Sequence, residues 1–144
     1  MSKRMLVAVD LSEHSAGTLA YAYHIAEAMN LMIDGVHISE TPASGRSLGH
    51  PSAREIVNDL ARSQSQGAER ELQRMLSGIP ETRRGEARIA YGAPAAAIVK
   101  MADPERYEML VVSTEGRTGF SQLFSGSVAE SVVRHARLPV LVVR

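Results

Sequence analysis

The 144-residue chain contains no cysteine, which removes disulfides, thiolate metal sites and cysteine nucleophiles together. It has no net charge: 16 basic residues balance 16 acidic ones, so no broad field draws it to nucleic acid or anionic lipid. It also lacks a long apolar run near its start. Met1-Ser2-Lys3-Arg4 leads into an apolar stretch too brief for a signal peptide or a membrane span, and the expectation is a cytoplasmic protein without membrane insertion. There is no Gly-Lys pair, hence no Walker A motif, and no G-x-G-x-x-G. The histidines (His14, His24, His37, His50, His135) show neither H-x-x-x-H nor H-E-x-x-H spacing, so no metal site is expected.

What is present fits one domain spanning residues 1–144, with 44% apolar and 22% charged residues. Arg4–Asp10 is a valine-rich apolar run, as in a strand covered on both faces. Ser12 is a natural N-cap, and Ala16, Leu19, Ala20, Tyr23 and Ala26 follow at helical spacing. Leu31–Ile38 reads as a second strand, and Ser39–His50 as the longest loop. Pro51 suits a helix's first turn, and Ile56, Leu60, Gln64, Ala68, Leu72 and Met75/Leu76 mark one face down to Gly78. Glu86–Tyr91 makes a third strand. After Gly92-Ala93-Pro94 comes a short helix with Ala97, Ile98 and Met101 on its apolar face, broken by Asp103-Pro104. Glu108–Ser113 is a fourth strand, and Val128, Ala129, Val132, Val133 and Ala136 stripe a last helix. Leu138–Val143 is the fifth strand.

Strands alternating with helices, and apolar throughout, predict an α/β fold: a parallel open sheet with helices on both faces. Such a sheet takes ligands beyond the carboxyl ends of its strands, where strand order reverses. The groups ending strands 1, 2 and 4 are Asp10, Ile38 with Ser39, and the Ser113–Ser125 loop. If strands 1 and 4 are neighbours, Asp10 faces the glycine-bearing loop across one crevice. A carboxylate for sugar hydroxyls would then stand opposite a phosphate cradle.

That loop, Val111-Val112-Ser113-Thr114-Glu115-Gly116-Arg117-Thr118-Gly119 onward to Gly126-Ser127-Val128, carries the chain from a strand into a helix. Free N–H groups and the positive end of the helix dipole favour anions there. The bland alternatives stand beside this reading. Gly116, Gly119 and Gly126 also serve as turn and cap glycines, Arg117 as a solvated arginine, Ser127 as a helix cap, and Asp10 as a hydrogen-bonder to its own loop. Gly45-Arg46-Ser47-Leu48-Gly49 matches G-x-S-x-G by letter, but a nucleophile elbow needs a strand running straight into it, and the strand ends near Ile38. No motif positions a general base, so at most slow hydrolysis or autophosphorylation near Ser127 is expected.

The chain resembles the universal stress protein family (UspA-type domain) over its whole length. The resemblance rests on Val7-Ala8-Val9-Asp10-Leu11-Ser12-Glu13-His14-Ser15, on Tyr91-Gly92-Ala93-Pro94, and on Gly116 through Val143, ending His135-Ala136-Arg137-Leu138-Pro139-Val140-Leu141-Val142-Val143. It implies a five-stranded parallel sheet of order 3-2-1-4-5, Rossmann-like and of the adenine nucleotide alpha hydrolase-like type, with strand 1 beside strand 4. ATP-binding members carry G-x2-G-x9-G-[ST]. The matching positions here are Ser113, Gly116, Gly126 and Ser127, so the first glycine is replaced and Gly119 falls outside the motif. Glu115 is a second departure. A carboxylate about 4–6 Å from a triphosphate costs about 1–4 kcal/mol per unit-charge pair at surface-like dielectric.

By the same resemblance Asp10 meets the ribose or adenine side and the backbone near Ile38 reads adenine. Gly116, Arg117, Gly126 and Ser127 hold the phosphates, Ser113 and Val128 belong to the same nucleotide-binding set, and Mg²⁺ enters only with the nucleotide. The resemblance also implies a homodimer paired through Pro139, Val140, Leu141, Val142 and Val143, since an apolar edge strand must be paired or covered. The expected function is a dimeric stress-response sensor that binds an adenine nucleotide, ATP foremost, and signals occupancy to a protein partner by ordering the Thr114–Ser125 and Ser39–His50 loops. The alternative is a dimeric adaptor that regulates a partner without nucleotide.

Overall fold

The computed structural model describes residues 2–39, 51–114 and 126–144, with side chains described from residue 55 in the second segment and from residue 128 in the third. Among the described residues nine elements alternate: β1 (Arg4–Ala8), α1 (Glu13–Met29), β2 (Met32–Ser39), α2 (Pro51–Leu76), β3 (Arg84–Tyr91), α3 (Pro94–Met101), β4 (Met109–Ser113), α4 (Gly126–His135) and β5 (Val140–Val143). The five strands form one sheet of order β3-β2-β1-β4-β5, every neighbouring pair parallel. The fold class and strand order are those expected.

Two apolar layers sandwich the sheet. Met5 and Val7 of β1, with Val9 just beyond it, join Ile33, Val111, Leu19, Leu72 and Leu76 on the side of α1 and α2. Leu6 and Ala8 join Val36, Ile38, Leu110, Val112, Ile98, Ala129 and Val132 on the side of α3 and α4. Alternate residues of one strand serve opposite layers, which is why the strands read as unbroken apolar runs. Each fully buried Leu, Ile or Val in these layers contributes about 1.5–3 kcal/mol.

Boundaries differ from the expected ones where local chemistry intervenes. β1 stops at Ala8 rather than Asp10, because Leu11 turns the chain at φ 64°, a left-handed conformation uncommon for a residue with a branched side chain. β5 begins at Val140, since Pro139 has no N–H to give and contributes only its carbonyl, which accepts from Leu110 N at 2.9 Å. The α2 face reaching back to Ile56 and Leu60 is corrected: they are 61% and 58% exposed, whereas Leu72 and Leu76 are buried. Twenty-six residues make a helix of about 39 Å. Eight-residue strands span about 26 Å, so the sheet cannot cover the helix's first turns.

Among the described residues, the most completely buried carboxylate sits between the apolar layers. Asp34 on β2 is fully buried at the amino end of the sheet. It accepts from the Arg4 guanidinium, from Glu86 N at 2.8 Å and from the Tyr107 hydroxyl at 2.9 Å. The β2–β3 register shifts beside it, between Ile33 and Gly35, and Gly85 leaves room: a Cβ there would lie 2.1 Å from Asp34 Oδ1.

Candidate functional site

The order β2-β1-β4 sets the β1 and β4 carboxyl ends side by side, with Val7 paired to Val111 two residues before Ser113. The predicted residues at these ends divide into those the structure describes and those outside it. Asp10, Ile38 and Ser113 stand at the ends of β1, β2 and β4. Gly126 opens α4, as the sequence predicted, and Ser127 and Val128 lie in its first turn. Gly116, Arg117 and the departure Glu115 lie outside the described residues, as do the G-x-S-x-G letters at 45–49.

Asp10 is 4% exposed, and its Oδ1 accepts from Ser12 N at 2.9 Å and Ser15 Oγ at 3.0 Å. The carboxylate thus pins the β1–α1 turn whatever else it binds. Ser12 caps α1, its side chain accepting from His14 N at 3.2 Å, and Glu13 follows in the first turn, where negative charge complements the dipole. Ile38 and Val128 spend their side chains in the layer under α3 and α4, so each offers a ligand only its backbone. Ser113 is buried at the end of β4, and the next residue is tied away from β1: Thr114 N donates to Val143 O at 2.9 Å.

His37 was not singled out from sequence. It is buried on β2, and its Nδ1 lies 3.0 Å from Val9 O at the mouth of β1. A ring nitrogen against a carbonyl carries the proton, so Nδ1 donates to Val9 O. Its position beside Ile38 at a strand's carboxyl end was the available signal. A hollow of about 330 Å³ opens beside these ends, bounded by Glu13, His14, Gly17 and Tyr21 of α1 with Ser113 and Arg144. Its polar rim and the bare Cα of Gly17 leave space for a polar ligand. Among the described residues no group of three or more His, Cys, Asp or Glu could hold a metal ion. None of the described helices is long and apolar enough to cross a membrane.

An open parallel sheet with strand 1 beside strand 4 and helices on both faces defines a Rossmann-like α/β protein, a class whose members take ligands at the carboxyl ends of the strands. The chain belongs to the universal stress protein family, whose model matches residues 1–144. A universal stress protein of Thermus aquaticus, named for its position in the QAH/OAS sulfhydrylase 3′ region, is 34% identical over 145 residues, covering 100% of both chains. The structure of MJ0577, a universal stress protein of Methanocaldococcus jannaschii, superposes with a TM-score of 0.76 at 24% identity, covering 99% of this chain and 96% of that one. A universal stress protein crystallised in complex with cAMP superposes at 0.66 with 22% identity, covering 100% and 98%. These structural likenesses bear on the fold.

Proposed function

We propose that this chain binds an adenine nucleotide in the crevice between the ends of β1 and β4 and works as a homodimeric sensor in the stress response. The observation that carries the reading is the adjacency of β1 and β4, which sets Asp10 beside Ser113 and the strand leading to α4. The complex of a family member with cAMP supports the ligand class. Asp10 takes the ribose or adenine side, the backbone at Ile38 reads the base, and the α4 N-terminus with Gly126, Ser127 and Val128 receives the phosphates. Gly116 and Arg117 complete the cradle, and Mg²⁺ enters with the nucleotide. The module binds and reports; no turnover is part of the reading.

The homodimer follows from the contrast between the two sheet edges. β3 carries Arg84, Glu86 and Arg88, charges that blunt an edge, whereas β5 is Val-Leu-Val-Val with Val142 39% exposed. A second copy pairing along Val140–Val143, entered from Pro139, satisfies that edge. The alternative, a dimeric adaptor without nucleotide, draws on Ser113: a buried serine stands where the ATP-binding motif opens with glycine.

Isothermal titration with MgATP, AMP and cAMP tests the first reading. Saturable binding at or below millimolar concentration supports it, and an empty protein in all three titrations leaves the adaptor. The same titration on Gly126→Ala is expected to show weaker binding of every phosphate-bearing ligand.

A further inference from the structure

On the sheet face away from α1, helices α3 and α4 leave an open groove of about 420 Å³ between them. Its floor is apolar and made of small side chains, Ala95, Ala96 and Val99 from α3. Lys100, His135 and Arg137 stand along its rim, all three exposed, and among the described residues no Asp or Glu lines it. The chain as a whole is neutral, so the two cations Lys100 and Arg137 make the positive charge of this rim a local feature. His135 is held by a hydrogen bond from Nδ1 to Ser131 O at 2.8 Å, which turns Nε2 outward.

We propose that this groove docks an acidic amphipathic helix of a partner protein. Alanine methyls on the floor let a third helix approach α3 and α4 to the ordinary packing distance of about 8–10 Å. The groove is open along α3, where Ala96 is exposed, so a small amphiphile would not be enclosed as small-ligand sites require. A helix laid in the groove buries its own apolar face and leaves its acidic flank against Lys100 and Arg137. A second copy of this chain is disfavoured, because a two-fold contact through this face sets the same cations against one another. The proposal stands on the groove alone and does not depend on nucleotide binding.

The test uses the full-length protein and a fluorescein-labelled two-heptad peptide with Leu at i, i+3, i+4 and i+7 and Glu on its other positions, followed by anisotropy at low salt. Wild type is expected to bind it with micromolar affinity, and the double variant Lys100→Glu/Arg137→Glu at least about tenfold more weakly. A matched peptide with Lys for Glu is expected to reverse that preference, which a misfolded variant could not do. Amide shifts on α3 and α4 locate the peptide, and Ala96→Trp is expected to block it. Equal binding of both peptides to both proteins overturns the proposal. So does a response of the α3 amides to laurate but not to peptide, or a change in oligomeric state on Lys100→Glu/Arg137→Glu.

Discussion

The Tyr107 hydroxyl donates to Asp34 Oδ2 at 2.9 Å across 73 residues of sequence, inside a structure where Asp34 is fully buried. Tyr107 in turn accepts from Arg88 Nη1 at 3.0 Å, and Arg106 Nη2 stands 3.5 Å from the same carboxylate. A buried carboxylate survives only with such partners. The network ties β1, β2, β3 and the segment before β4 together at the end of the sheet opposite the candidate site.

Removing the carboxylate should therefore cost stability and leave ligand affinity alone. Asp34→Ala strands the Arg4 guanidinium, the Glu86 N–H and the Tyr107 hydroxyl, and is expected to cost about 3–5 kcal/mol. Tyr107→Phe removes two hydrogen bonds to charged groups, the one given to Asp34 and the one taken from Arg88, each worth about 1.5–3 kcal/mol. Urea unfolding with nucleotide titration of the folded fraction checks both halves of the statement.

Gly85 and Gly35 should respond differently to the same added methyl. At Gly85 the new Cβ would meet Asp34 Oδ1 at 2.1 Å and Ile33 O at 2.7 Å, and a backbone carbonyl cannot swing aside. At Gly35 it would meet only the ends of Leu72 and Leu76, at 3.1 and 3.2 Å. Overpacking costs about 1–3 kcal/mol, and Gly85→Ala belongs at or beyond the top of that range, Gly35→Ala near the bottom. Thermal melts of the two variants rank them.

Alkaline pH should loosen the same end of the sheet. Burial raises the Tyr107 phenol above its ordinary 10.0, with the Asp34 carboxylate adding to the rise and Arg88 opposing it. The folded state holds this proton more tightly than the unfolded chain. The associated stability is therefore fully present below pH 10.0 and is lost as pH climbs through the folded value above it. Urea midpoints measured from neutral to strongly alkaline pH should fall more steeply for wild type than for Tyr107→Phe.

Restoring the missing motif glycine should strengthen ATP binding. Ser113→Gly removes a buried Cβ at the end of β4, and an affinity gain of about tenfold corresponds to about 1.4 kcal/mol. Asp10→Asn keeps an acceptor for Ser12 N and Ser15 Oγ while removing charge, so its effect on calorimetric affinity isolates the ligand role from the turn. Unchanged affinity in both variants would count against the crevice reading and in favour of the adaptor.

The β5 edge carries the last expectation. Val142→Lys puts a charge on the exposed strand position and should shift the protein from dimer to monomer in sedimentation velocity, with the fold retained. The matching change at an exposed β3 position, Tyr91→Lys, should leave the mass unchanged. A wild-type monomer at the outset would remove the dimer from the proposal.

Much of the fold was legible because apolar period and cap chemistry are local properties. Ser12 announces the start of α1, and Asp103-Pro104 marks the end of α3. The buried run at Met5–Val9 reads as a two-sided strand because successive residues feed opposite layers. At the site, Asp10, Ile38, Ser113 and Gly126 could be placed at element ends from such signals. The α2 face misled, since helical spacing at Ile56 and Leu60 continues past the sheet that would have covered it.

By itself, then, the sequence determined the element order, the parallel class of the sheet and the family, because each is written in contiguous residues or in motifs of fixed spacing. Tertiary structure decided which distant residues meet. Asp34 finds Arg4, Glu86 and Tyr107 across 30, 52 and 73 positions, and His37 reaches Val9 across 28. It also decided that Lys100 and Arg137 share one groove between α3 and α4. Such pairings depend on strand register and on the direction of each side chain across the sheet, and no local pattern encodes either.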